Sequence, residues 1–139
     1  MSNVQRMRNH LKKEDFYMEE LKEDDGSIFF RAEQNIKGGG LCTIVISFNV
    51  EETMVDLYIY NVAHISDPLK KESLHKLLND LNKNYRFSKF TEHEGKVTIK
   101  YSFSAEKDKL NAEDAFDTAV SLYRTAEENY SKFMKLQWA

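Results

Sequence analysis

One cysteine, one proline, one tryptophan and five glycines among 139 residues leave few chain breakers and no cross-link. Cys42 alone cannot close an internal disulfide, which excludes the paired-cysteine framework of small secreted domains. Apolar runs extend only a few residues, far short of the roughly 20 that a membrane-crossing helix needs, so no membrane partner is expected. Positive charge is not in excess either, with 20 Lys and Arg against 23 Asp and Glu and a formal net charge of −3. A nucleic-acid binder normally needs a basic face to neutralise phosphates, so this balance argues against one. The opening stretch Met1 to Phe16 has no apolar core of a signal peptide, and the expectation is a cytoplasmic protein.

Recognisable reaction chemistry is also missing. His10, His64, His75 and His93 never fall three to five residues apart, and Cys42 is the only thiol that could join them, so no metal site is expected. Cys42 lies on the apolar side of the most hydrophobic segment, where a thiol packs as a small hydrophobe and is hard to ionise. Lys37-Gly38-Gly39-Gly40 has no Gly-Lys-Ser/Thr closure and runs into a strand-like segment instead of a helix N-terminus, so it reads as a hairpin loop and not a phosphate cradle. The carboxylates of Glu19, Glu20, Glu23, Asp24 and Asp25, and of Glu113, Asp114 and Asp117, fall at a turn and a helix start, where solvated charge is the default. No catalytic residue and no cofactor are assigned.

What remains is a well-patterned single domain. Apolar residues make up 41% and aromatics 12%, enough for one core in a chain of this length. From about Ser2 to Lys13, Val4, Met7 and Leu11 recur at helical spacing behind a capping Ser2. Phe16 to Leu21 can be read as helix or strand, with a break near Glu14 or Asp15 favoured. Strand-like runs follow at Ser27 to Gln34, Leu41 to Val50 and Met54 to Ala63, joined by loops short enough for an antiparallel meander. Ser66-Asp67-Pro68 then opens a helix, with a capping side chain ahead of a proline. Its stripe Leu74, Leu77, Leu78 and Leu81 is expected in the core. Arg86 to His93 and Lys96 to Ser104 form a hairpin around Glu94-Gly95. Asn111 caps a long last helix whose buried stripe is expected at Phe116, Val120, Tyr123, Tyr130 and Met134, supported by Ala119 and Leu122. The fold class is α+β over residues 1–139: a curled antiparallel sheet of about five strands flanked by helices, in the order helix, three strands, helix, two strands, helix.

Leu77-Leu78, Leu81-Asn82 with Asn84 after it, Lys89-Phe90 and the strand after Gly95 resemble the YbjN family, labelled bacterial sensory transduction regulators. The resemblance runs from about Val4 to Tyr130, and that family's fold is similar to type III secretion chaperones. It implies a small, non-enzymatic protein that binds other proteins, chaperone-like or regulatory, acting as a homodimer. The alternative from the residues is a small-ligand binder or enzyme with a pocket between the sheet and the last helix. Asn82 and Asn84 either tether backbone at the helix end or contact a ligand. If Ile44, Ile46 and Phe48 face the helices, strand alternation turns Val45, Tyr58, Tyr60 and Val62 outward as a partner or dimer surface, unless a helix covers that face.

Overall fold

The computed structural model describes all 139 residues. The chain runs α1 (Asn3–Lys13), β1 (Glu19–Lys22), β2 (Ile28–Ile36), β3 (Gly40–Phe48), β4 (Met54–His64), α2 (Lys71–Asn84), β5 (Lys89–His93), β6 (Lys96–Ser104) and α3 (Ala112–Gln137). A short 3₁₀ turn, Pro68–Lys70, precedes α2, capped by the Asp67 side chain on the Leu69 amide. All six strands pair antiparallel in the order β1-β2-β3-β4-β6-β5. The meander β2-β3-β4 is therefore extended at one edge by β1 and at the other by the β5-β6 hairpin, with β6 inside.

Six strands replace the expected five because α1 stops at Lys13 and the chain re-enters the sheet as β1. Asp15, at φ 53°, makes the reversal. Glu19-Glu20-Leu21-Lys22 has no alternation to announce a strand, since most of it is exposed. Only its pairing with Ile28 to Arg31 of β2 makes it one.

All three helices contribute to one apolar core on one side of the sheet. Val4, Met7 and Leu11 of α1 share it with Leu74, Leu78 and Leu81 of α2 and the inner side chains of β2, β3, β4 and β6. Leu77 is only half-buried at the margin of its stripe. The buried stripe of α3 differs from the expected one: Ala115, Ala119, Leu122, Ala126 and Phe133 are buried, while Phe116, Val120, Tyr123, Tyr130 and Met134 are half-buried flanks. Alanines let the helix axis approach the sheet closely, and the larger side chains splay to either side of that contact line. Tyr130 lies on the β2-β3 hairpin, where a Cβ at Gly40 would come within 2.8 Å of its ring. The glycine loop is thus a seat for an α3 tyrosine, held further by the Lys37 amide donating to Glu127 Oε2 at 3.2 Å.

Candidate protein-binding surface

With the helices confined to one side, the other side of the sheet is bare. Neither the first segment nor the last helix folds across it. Its central row, read across the strands, is Glu19, Arg31, Val45, Tyr58, Lys100 and Lys89. Around that row lies a shallow trough of about 570 Å³, lined by Phe29, Val45, Tyr58 and Tyr60 with Glu33 and Thr43. Tyr58 and Tyr60 stack with ring centroids 4.9 Å apart and an interplanar angle of 18°. The Lys100 ammonium sits 5.3 Å from the centre of the Tyr58 ring, within cation–π range. Arg31 and Glu19 close the opposite end with an ion pair at 2.8 Å. Burial, with the neighbouring Tyr58, Asp56 and Glu23, pushes the Tyr60 hydroxyl up to about 12. The phenol is therefore a neutral hydrogen-bonding group at any physiological pH.

The four residues expected on this surface do not all reach it. Tyr58 and Tyr60 face outward, and Tyr60 is 37% exposed. Val45 also lines the trough, but Arg31 and Tyr58 beside it leave only 8% of it exposed. Val62 is corrected: it is 1% exposed and belongs to the core. A register shift between Ile59 and Ala63, with Asn61 at φ 60°, breaks the two-residue alternation of β4 and turns Val62 inward. Leu41 and Met54, two places along from Thr43 and Asp56, share the bare face and are exposed.

Asn82 is structural. Its amide nitrogen donates to the Phe90 carbonyl at 2.9 Å, and its Oδ1 accepts the Phe90 amide at 2.6 Å. The side chain stands in for a neighbouring strand and closes the outer edge of β5. Asn84 is exposed at the end of α2 with no hydrogen-bond partner in the chain. Cys42 is fully buried, and desolvation pushes its thiol up to about 11. His75 pairs with Glu92 at 2.7 Å, His10 approaches Glu14 at 3.4 Å, and nowhere do three His, Cys, Asp or Glu side chains gather so as to hold a metal ion. No helix is long and apolar enough to cross a membrane.

Two polar residues with structural roles went unseen in the sequence. Asn3 is 1% exposed and binds the carbonyls of Glu52 and Glu106, while accepting the Leu110 amide at 2.9 Å. It ties three loops together, and nothing in its local pattern distinguishes it. Asn129, 2% exposed, donates to the Tyr85 hydroxyl at 2.8 Å, and Tyr85 donates to Glu128 at 3.1 Å. The apolar periodicity of α3 hides this position, because an asparagine there reads as surface. Compared with known proteins, the chain matches no family model, no curated protein and no solved structure.

Proposed function

We propose that this protein is a non-enzymatic protein-binding module, chaperone-like or regulatory, that works as a homodimer through the bare face of its sheet. The observation that carries the reading is the uncovered Tyr58–Tyr60 stack in a trough on a face that also exposes Leu41 and Met54. Tyrosine offers broad apolar area with a polar tip, and antiparallel sheets usually solvate an open face with smaller polar residues. The resemblance of Leu77-Leu78, Leu81-Asn82 and Lys89-Phe90 to the YbjN family, whose fold is similar to type III secretion chaperones, implies the same kind of function.

Charge supports a second copy as the occupant. Glu19, Glu23 and Glu33 lie on the β1-β2 side of the face, and Lys89 and Lys100 on the β5-β6 side. A two-fold axis parallel to the strands sets the acidic side of one subunit against the basic side of the other and brings the tyrosines together at the centre. Replacing Tyr58 and Tyr60 with lysine should convert dimer to monomer in light scattering with native circular dichroism. Lys89→Glu with Lys100→Glu should weaken the dimer as well. A wild type already monomeric at tens of micromolar overturns the homodimer.

A further inference from the structure

A second surface, which shares only Lys89 and Lys100 with the bare face, lies where β5 ends before its neighbour does. Lys89, the first residue of β5, pairs with Lys100, so Ser102 and Ser104 at the far end of β6 have no strand beside them. The Ala105 amide donates to the Thr53 carbonyl at 2.8 Å, which fixes the alternation along β6. Tyr101 and Phe103 direct their backbone groups to β4, and Ser102 and Ser104 direct theirs to the open edge. No group of the chain takes those outward donors and acceptors. The contrast with β5 is direct, because Asn82 satisfies the corresponding outward groups of Phe90.

Beside this open edge, a groove runs between β6 and α3. Two clefts of about 350 and 580 Å³ meet at Tyr101 and Thr118. Tyr101 and Phe103 project to the helix side like Val97 and Ile99, yet they are half-buried while Val97 and Ile99 are fully buried. Phe87, 64% exposed, packs edge-on against Tyr101 with ring centroids 5.8 Å apart. One added strand would supply what this end of the sheet lacks: hydrogen bonds for Ser102 and Ser104, and apolar cover for Tyr101 and Phe103.

We infer that the edge of β6 takes an extended segment of a partner protein by strand addition, with apolar residues alternating with carboxylates. Alternation follows from the sheet, since one side chain in two enters the groove and the next lies beside Lys100 and Lys89 on the other face. The acidic preference belongs to the β5 end of the groove, since near Ser104 the groove carries Asp114 and Glu106, the latter paired with Lys109, and Asp56 accepts the Ser102 hydroxyl on the far face. Arg86 and Arg124 line the groove near β5, and neither they nor Lys89 and Lys100 form an ion pair within the chain. Glu128, the one carboxylate lining that cleft, is held by the Tyr85 hydroxyl.

The test uses the full chain labelled with nitrogen-15 and a capped peptide alternating valine with glutamate. Saturable shifts of the Ser102 and Ser104 amides and of amides from Thr118 to Glu128 are expected. The counterpart alternating valine with lysine should bind about tenfold more weakly or worse, and Arg124→Glu should weaken the acidic peptide by a similar factor. Ser104→Pro removes one outward amide and leaves the β4 ladder intact, and it too should weaken binding. The absence of shifts at millimolar peptide overturns the proposal, as do equal binding of both peptides or shifts confined to Thr43, Tyr58 and Tyr60. Because the readout is local to β6 and α3, it stands apart from the dimer test.

Discussion

On the helix-covered side of β3 and β4, Ile44, Ile46, Leu57 and Ile59 are each 7% exposed or less, while on the other side of the same strands Tyr60 is 37% and Leu41 53% exposed. One side is dry and built from branched aliphatics. The other is wet, with an aromatic pair, an Arg31–Glu19 bridge and lysines around it. Both are made by the same two-residue alternation, so the difference lies in what each side meets and not in how the strands form. If the bare face is the binding surface proposed above, stability and recognition are separated here by the thickness of a sheet. Changes on the covered side should cost folding free energy, and changes on the bare side should cost association and little else.

The strongest attempt to break this division targets the covered side. Phe133 is fully buried on α3 and packs near Phe90, with ring centroids 6.3 Å apart. Phe133→Ala should cost about 3–5 kcal/mol, and Leu81→Ala, at a site 2% exposed, about 2–5 kcal/mol. Urea titration measures both. A midpoint within error of wild type for either would show that this side is not the core.

Next in size is the clasp at the edge. Asn82→Ala leaves the Phe90 amide and carbonyl without partners at a part-buried position, which should cost about 1–3 kcal/mol. Asn84→Ala, two residues on and without a hydrogen bond, should stay within about 0.5 kcal/mol. Equal effects for the two asparagines would remove the case for the clasp.

The covered side was the legible one. Val4, Met7 and Leu11, the Leu74, Leu78 and Leu81 stripe, and alternation in β3 and β4 are read from apolar spacing, because burial selects residue type directly. The Ser2, Asp67 and Asn111 caps were equally visible, since each needs a short polar side chain at one place. Legibility failed where long-range contact decides. β1 is a strand because β2 lies beside it, Val62 turns inward because a bulge intervenes, and α3 buries alanines because the helix comes close to the sheet. Tyr58 and Tyr60 were placed correctly by alternation. The unpaired end of β6 left no mark, because a missing neighbour has no sequence of its own.

On the bare side the expected effect on stability is smaller. Tyr58→Thr with Tyr60→Thr keeps β-propensity and removes the stacked rings, whose contact contributes about 0.5–1.5 kcal/mol. The double variant, which also loses the apolar area these half-exposed rings cover, should still lose less than Phe133→Ala when compared as monomers. A loss as large as that of Phe133→Ala would mean that the trough is part of the core in all but name.

The smallest expected effect sharpens the comparison through pH. Glu92 stands on the helix side of β5, where its Oε1 meets His75 Nε2 at 2.7 Å and its Oε2 accepts the Gly95 amide at 2.9 Å. The His75 hydrogen bond first, and the Gly95 amide after it, hold this carboxyl below the ordinary carboxylate value. A depressed folded-state value means that the ionised form is favoured by folding, so its stabilisation is present above the ordinary carboxylate range and fades as pH falls through the lowered value. The groups are close to solvent, and the contribution should be a few tenths of a kcal/mol. Glu92→Gln should therefore be slightly less stable than wild type near pH ~7 and indistinguishable from it at a pH well below the lowered value, where both side chains are neutral. Glu33 on the bare face is exposed and has no hydrogen-bonding or ion-pair partner in the chain, and Glu33→Gln should leave stability unchanged at both pH values. Urea midpoints across that pH range measure the difference. A Glu92→Gln deficit that persists at low pH would assign its cost to lost packing and not to the charge held against α2.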